Sequence, residues 1–362
     1  MKINVLVTGV GGGGVGEQIM KCLRLSALDI NIIGCDMSTS SKGLAEADKA
    51  YVVSPASAAS YIDEILNICR VNDVKIIFHG SEPELVKFSD NREIFEDNNI
   101  IIPLNPKKVI DICMDKNLTM DFLRTNKIGN VQKYWEISSI DDIDKVDIYP
   151  VVLKPSIGGG GSANTFIAQD KEELYLFSKY LLKIYKQFLI QEYVGDPFNE
   201  YTAGVFCSEK GKYINSIAVK KSILSGLSNK TKIPNRTGRK DLGEVLAISS
   251  GVSQGEIGRY PEVTELSRQI AEKLGVTASI NVQCRIYQGK MYVFEINPRI
   301  SGTSSLRAIV GYNEPEMLIR ERVLGEELKV GFTYREGLIT RGLSESFISK
   351  DFMGSVKTIS GR

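Results

Sequence analysis

The sequence predicts an α/β domain with a parallel sheet, followed by an α+β part assembled from strands, turns and a few amphipathic helices. Two patterns carry that prediction. Early in the chain, short β-branched apolar runs alternate with stretches of helical periodicity, the pacing of strands joined by crossover helices. Later, strands follow one another through glycine turns, and the last of them read as a hairpin. Length is the third observation: 362 residues exceed what one core comfortably fills, so two or three domains are expected.

Taken in order, INVLVTG at residues 3–9 is a strand ending in glycine. GEQIMKCLRLS then places Ile19, Cys22, Leu23 and Leu25 at helical spacing. INIIGCD is the next strand, closing on Asp36; YIDEILNICRVND is an amphipathic helix, and VKIIFHG a third strand. The first domain is expected to close near IIPLNP, residues 101–106, where a buried-looking strand meets proline. PKKVIDICMDKNLTMDFLRTNKI reads as a helical linker with a second helix. YPVVLKPSIGGGGSANTFIA is strand, glycine turn, strand; LYLFSKYLLKIYKQ is a helix and FLIQEYV a strand. EYTAGVFC and YINSIAVKK are strands, EVTELSRQIAEKLG is a helix, and ASINVQCRIYQGKMYVFEINPRI is a hairpin turning at Gln288-Gly289. Residues 222–244 form the longest polar, irregular stretch, a length of loop that often serves function. The domains expected are 1–112, 113–190, 191–330 and a C-terminal extension, 331–362.

Composition excludes several classes. A formal net charge of +1 leaves no field for nucleic acid or a membrane surface. No apolar run approaches the roughly 20 residues that span a bilayer, and MKINVLVTGV lacks a signal-peptide pattern. Six cysteines without paired spacing read as core thiols of a reducing compartment, so a cytoplasmic location is expected. The single histidine, His79, removes His-rich metal sites and leaves no Ser-His or Cys-His pair elsewhere.

Four segments bear chemistry. In VLVTGVGGGGVG, Gly9, Gly11, Gly14 and Gly16 stand between a strand and a helix, where amides can approach a pyrophosphate, and Asp36 stands where a ribose-binding acid belongs. Alone, this fits an NAD(P)-dependent oxidoreductase or any tight turn. In VVLKPSIGGGGS, Lys154 ends a strand beside Gly158, Gly159, Gly160, Gly161 and Ser162; the loop amides can close on phosphate oxygens and the lysine supplies a point charge. In VQCRIYQGKMYVFEINPRISG, period-two alternation puts Glu295 and Asn297 on one strand face with Gln283 opposite, three oxygen donors suited to magnesium bridging nucleotide phosphates. Arg299 continues that face and can pair with a transferring phosphoryl group. In FLIQEYVGDPFNEYT, the strand end Gln191, Glu192, Tyr193 and Val194 offers backbone groups to an adenine edge, and Glu200 can accept from ribose hydroxyls. Arg236, Arg239 and Lys240 are a basic set able to meet an anionic substrate, although solvated loop charges serve equally. His79, Glu82 and Glu84 stand at the carboxyl edge of the first sheet, where the acids can hold an amine.

The last three of those four segments, in this order and spacing, resemble the ATP-grasp superfamily, in particular the branch similar to the carbamoyl-phosphate synthase large subunit. The likeness covers about residues 3–330. It implies a pre-ATP-grasp α/β domain followed by an ATP-grasp fold, and gives the phosphates to residues 158–162 rather than to the N-terminal glycines. Carried over by position, it puts Lys116 and Lys154 on ATP phosphate, Glu192 and Val194 at the adenine hinge, and Glu200 on ribose. Gln283, Glu295 and Asn297 become ligands of two magnesium ions, with manganese as a substitute, and Arg299 holds an acyl phosphate. The implied reaction activates a small-molecule or sugar-linked carboxylate with ATP for attack by an amine, chemistry that needs positioning more than a histidine or serine. One grasp unit, not the tandem pair, argues against carbamoyl phosphate synthesis itself. The remaining alternatives are the oxidoreductase and a non-catalytic ATP-binding regulator. Neither nucleic acid nor membrane is an expected partner, and a homodimer remains open.

Overall fold

The computed structural model describes residues 2–158, 162–347 and 349–359. The chain begins with β1 (Ile3–Thr8), α1 (Val15–Arg24), β2 (Ile30–Asp36), α2 (Lys42–Glu46), β3 (Lys49–Val52), α3 (Tyr61–Asn72), β4 (Ile76–Phe78), α4 (Glu82–Asp90) and α5 (Arg92–Asp97). β1 runs parallel to β2 and β4, and β2 to β3. Val5, Leu6, Val7, Ile32 and Ile33 are fully buried, because a sheet covered by helices on both faces needs apolar residues at every position.

β3 was not visible in the sequence. KAYV is short, and only Tyr51 in it is buried, so it carries neither alternation nor an apolar run. Residues 101–106, in turn, are not a strand. Ile101 makes one parallel bridge to Ile76, and Pro103 and Pro106 lack the amides that would extend a ladder.

Next come α6 (Lys107–Met114) and α7 (Lys116–Asn126), then a four-stranded antiparallel sheet in the order β5-β8-β6-β7: β5 (Tyr134–Ile137), β6 (Val151–Pro155), β7 (Phe166–Ala168) and β8 (Phe188–Glu192). Its outer face is covered by α8 (Lys171–Leu181), which starts earlier than the pattern predicts because Asp170 caps the Glu173 amide.

The remainder is built on an antiparallel sheet of β9 (Glu200–Cys207), β10 (Tyr213–Lys221), β13 (Gly255–Gly258), β14 (Ser279–Tyr287), β15 (Lys290–Asn297) and β16 (Gly337–Ile339), in the order β15-β14-β9-β10-β13-β16. Helix α9 (Pro261–Leu274) packs on one face. The stretch 222–244 is not an irregular loop. It contains β11 (Asn229–Pro234), which pairs with β12 (Val245–Ser249). The strand was hidden because NKTKIP alternates half-buried and exposed polar residues, with Ile233 packing against the small Tyr193–Leu246 cluster. α10 (Ser304–Ile309) and α11 (Glu314–Arg322) pack against α1. After them the chain returns through α12 (Lys350–Ser355) to β17 (Lys357–Thr358), which joins β3 and completes the first sheet as β17-β3-β2-β1-β4. Among the described residues, no helix is long and apolar enough to cross a membrane.

Candidate active site

The two larger antiparallel sheets, strand β12 and the loops of the first domain enclose a cleft of about 810 Å³. Its floor is one face of the large sheet. Register sets Gln283 across from Glu295 on one side and from Thr202 on the other, with Arg285 across from Glu200. Period-two geometry therefore gathers Glu200, Thr202, Gln283 and Arg285, with Glu295 and Asn297, on the face that lines the cleft. Its roof is the β5-β8-β6-β7 sheet, which contributes Gln191, Val152 and Lys154. Lys116, at the start of α7, closes one side, and Gly158 and Ser162 also line the cleft. Gly159, Gly160 and Gly161 lie outside the described residues.

Glu295 and its neighbours form one connected set. Gln283 Nε2 donates to Glu295 Oε2 at 2.7 Å, and Lys116 Nζ lies 3.9 Å from Glu295 Oε1. Arg299 donates to Asn297 Oδ1 at 3.2 Å and to Glu82 Oε1 at 3.1 Å. Lys154 Nζ donates to the Phe294 carbonyl at 2.8 Å. Burial pushes the Lys154 amine down to about 7, with Lys116 adding to the effect and Glu295 opposing it. An anion beside these two lysines would be drawn to a site already short of negative charge.

Gln283, Glu295 and Asn297 offer oxygens suited to a hard divalent cation, but only one is a carboxylate. Among the described residues there is no group of three or more His, Cys, Asp or Glu that could hold a metal. The residues fit a magnesium ion whose remaining ligands are phosphate oxygens and water.

Glu200 is less free than the sequence reading implies. Its Oε1 accepts from Lys221 at 3.0 Å and its Oε2 from Arg285 at 3.0 Å. Burial alone would raise its pKa, but those two cations win and hold the carboxyl below its usual range. A ribose hydroxyl must share lone pairs already in use. Lys221 also donates to Gln283 Oε1 at 2.8 Å and Ser249 Oγ at 3.0 Å, so it links the Glu200 end of the cleft to the Glu295 end. Along the hinge, Glu192 N donates to the Lys133 carbonyl, and the Tyr193 hydroxyl is fixed between the Ala247 carbonyl and amide. Val194 presents its backbone beside Arg285.

Lys221, Arg285, Thr202 and Gln132 were missed from sequence. Arg285 had a signal, since it stands two residues after Gln283 on the same face. Lys221 had none, because its place depends on how β10 pairs with β9.

The N-terminal glycine turn reaches the cleft through Gly13 and Gly14, but three of its amides are already engaged. Gly11 N donates to Asp36 Oδ2 at 2.9 Å, Gly13 N to the Glu17 carboxylate, and Gly14 N to the Gly11 carbonyl. Asp36 is thus a brace for the turn rather than a ribose acceptor. Glu17 puts a negative charge where a dinucleotide would put its pyrophosphate. Its carboxyl, despite burial, is pulled down to about 2 by Lys21, the Gly13 amide and Lys42. The dinucleotide alternative loses its structural basis.

Three other expectations change. Arg236 pairs with Glu173 and Arg239 with Asp241, and none of Arg236, Arg239 and Lys240 lines the cleft. Glu84 is buried, accepting from Tyr61 Oη, Ser81 Oγ and Gly80 N; it shapes the first domain and cannot hold an amine. Glu82 does line the cleft, paired with Arg299. His79 sits behind Arg299 in a small apolar cavity, and burial, then the nearby guanidinium, pushes its imidazole down to about 4.

Comparison with known proteins agrees with this architecture. Residues 5–103 match the model of the PylC-like N-terminal domain, and residues 244–341 match that of an ATP-grasp domain from the biosynthetic pathway with the Ter operon. The carbamoyl phosphate synthase large chain of Methanocorpusculum labreanum is 24% identical over 325 residues, covering 83% of this chain and 28% of that protein. The chain therefore spans under a third of that relative. A D-alanine–D-alanine ligase of Clostridium botulinum is 33% identical over 113 residues, 30% of this chain and 35% of the ligase. Among solved structures, the N5-carboxyaminoimidazole synthetase of Staphylococcus aureus complexed with ADP superposes with a TM-score of 0.63 at 14% identity, covering 91% of this chain and 80% of that one. The D-alanine–D-alanine ligase of Bacillus anthracis complexed with ATP gives 0.56 at 17% identity, covering 90% and 98%. A region matched by the PylC-like N-terminal domain model is thus followed by a region matched by an ATP-grasp domain model, and the chain is similar over most of its length to the carbamoyl phosphate synthase large chain.

Proposed function

We propose that the protein is an ATP-dependent ligase that joins a small-molecule or sugar-linked carboxylate to an amine. The observation that carries this reading is the convergence of Gln283, Glu295, Asn297 and Arg299 with Lys116 and Lys154 in one cleft. Relatives described as D-alanine–D-alanine ligase and solved relatives complexed with ATP or ADP support it. In this reading residues 1–112 present substrate, 113–190 form the lid and its linker, and 191–330 form the catalytic part. Residues 331–362 are the C-terminal extension, of which Lys357–Thr358 joins the first sheet.

The hinge at Gln191–Val194 holds adenine and Glu200 the ribose. Lys116, Lys154 and the amides from Gly158 to Ser162 hold the phosphates, and Gln283, Glu295 and Asn297 ligate magnesium, two ions in the full pattern. When bound, magnesium neutralises phosphate charge and aligns the γ-phosphate. A substrate carboxylate oxygen attacks the γ-phosphorus and ADP leaves. The amine then attacks the acyl carbon, phosphate leaves with the C–O bonding electrons, and the proton shed by the nitrogen passes to the departing phosphate. Arg299 steadies the acyl phosphate, and Glu82, its partner, is placed to orient the amine.

The test is to incubate the protein with magnesium-ATP and pooled carboxylic and amino acids while following ADP and phosphate. Hydroxylamine is added in parallel to trap an acyl phosphate as hydroxamate. Nucleotide binding without carboxylate-dependent ADP release would leave a passive ATP-binding regulator instead.

A further inference from the structure

Beyond one end of the cleft floor lies a fully buried ion pair. Arg307 in α10 and Glu314 in α11 are both 0% exposed, and Arg307 Nη1 donates to Glu314 Oε2 at 3.3 Å. The guanidinium lies against β9 at Gly204, where a β-carbon would run into it. Its Nη2 donates to Asn281 Oδ1 at 2.7 Å, and Thr202 Oγ1 donates to the same oxygen at 2.7 Å. Asn281 and Thr202 line the cleft, whereas Arg307 and Glu314 stand behind them. An ion pair buried this deeply adds little stability over apolar side chains of similar volume, so its use lies in what it holds in place.

A guanidinium carries donors only, so its bond settles which end of the Asn281 amide is which: the oxygen faces Arg307 and the nitrogen is left over. Among the described residues, Asn281 Nδ2 donates to no protein atom. Turning the amide over would set N–H groups against N–H groups and take an acceptor from a buried cation, at a cost of roughly 1–3 kcal/mol. Register puts Asn281 across from Asn297, which accepts from Arg299 at 3.2 Å. The free amide nitrogen and the Arg299 guanidinium therefore share one end of the cleft. Gln283 and Thr202 separate that end from Glu200 and Arg285.

We propose that Arg307 is a positioning residue: by holding Asn281 Oδ1 from behind, it aims Asn281 Nδ2 into the cleft as a donor to the substrate carboxylate, beside Arg299. This rests on the ligase reading given above. Arg299 supplies charge at that end, and the amide supplies direction. A neutral donor can hold one carboxylate oxygen while the other keeps the electron density it needs to attack the γ-phosphorus. With the amide reversed, its oxygen would face the carboxylate and repel it, and the lock imposed by Arg307 keeps that arrangement rare.

The test gives the full chain magnesium-ATP, the pooled carboxylic acids and hydroxylamine, and follows hydroxamate. Urea midpoint and calorimetric binding of magnesium-ADP are read on the same preparations. Asn281→Asp keeps an acceptor for Arg307 and Thr202 but replaces the free donor by an anion. It holds the wild-type midpoint and ADP affinity, and forms hydroxamate about a hundredfold more slowly. Arg307→Met lets the amide turn and slows hydroxamate formation about tenfold through a raised KM for the carboxylate, the loss of one oriented hydrogen bond. Arg307→Lys, which still offers Oδ1 only donors, recovers most of that loss. If Arg307→Met fails to fold because Glu314 is left buried alone, Arg307→Met combined with Glu314→Met takes its place, and Asn281→Asp tests the donor regardless. Hydroxamate formation by Asn281→Asp close to the wild-type rate overturns the proposal. So does a loss of midpoint or of ADP affinity in that variant that matches its loss of rate, which makes the cluster structural. An Arg307→Lys variant as slow as Arg307→Met also overturns it. If the wild type forms no hydroxamate from any acid of the pool, the ligase reading itself falls, and this proposal with it.

Discussion

At the scale of single residues, the cleft is organised around Glu295. It is the only carboxylate among the three proposed metal donors, and it is bound to Gln283 and faces Lys116. Glu295→Ala should lower turnover by about a hundredfold or more, because phosphate charge then goes uncompensated as the barrier is crossed. Circular dichroism should be unchanged; a variant that keeps more than about a tenth of wild-type rate at saturating magnesium would disprove the assignment. The sequence made this part of the site legible because Glu295, Asn297 and Arg299 lie on one strand and its extension, where alternation alone fixes the face. Lys221, which holds Glu200 together with Arg285, comes from a strand whose place beside Glu200 is decided by tertiary pairing. Orphaned atoms such as Gln132 Oε1 are visible only once every neighbour is in place.

Among the elements, the long periodic segments were readable and the short ones were not. β2 and the hairpin strands of β14 and β15 carry their pattern in their own residues, while β3 and β11 form because a neighbouring strand is there to pair. The hairpin turn shows local coding well: Gln288 and Gly289 both have positive φ, 50° and 70°, as a tight two-residue turn requires. Gly289→Ala should destabilise the protein by about 1 kcal/mol, read as a lower urea midpoint, since a β-carbon is strained in that region. Gln288→Asn should raise the midpoint slightly. Helix α1 gives a pH prediction. Glu17, held near a pKa of about 2, stabilises the folded state fully above its ordinary value of 4.5 and loses that contribution as pH falls toward 2. Glu17→Gln should therefore be less stable than wild type at pH 7, with the gap closing as pH drops through that window. A gap independent of pH would show that packing, not charge, is what Glu17 provides.

Across the whole molecule, the question is what fixes the first domain against the grasp, since the cleft is lined from both. Helices α10 and α11 hold α1 through Ser305 to Gln18 and through Asn313 to the Cys22 carbonyl, and Arg341 adds bonds to Gln18, Ser305 and the Gly302 carbonyl. The most concentrated link is Asn105, 1% exposed, in the stretch that reads from sequence as a strand. Its Nδ2 donates to the Ser279 and Pro298 carbonyls, and its Oδ1 accepts from the Thr277 and Ala278 amides. One side chain thereby joins the end of the first domain to the start of β14 and to the segment just after β15, immediately before Arg299. Asn105→Ala removes the partner of three buried backbone groups and of the part-buried Thr277 amide, a loss of about 3 kcal/mol or more, and should lower the urea midpoint clearly. Asn105→Asp keeps an acceptor for the two amides but places an anion beside two carbonyls. Its defect should therefore shrink as pH is lowered and the carboxyl gains a proton it can donate, while that of Asn105→Ala should not change over the same range. Because Pro298 adjoins Arg299, both variants should also raise the KM for the proposed carboxylate substrate more than that for ATP, whose proposed hinge at Gln191–Val194 is on the opposite sheet. Equal effects on both KM values would mean that Asn105 supports the fold without setting how the two parts meet.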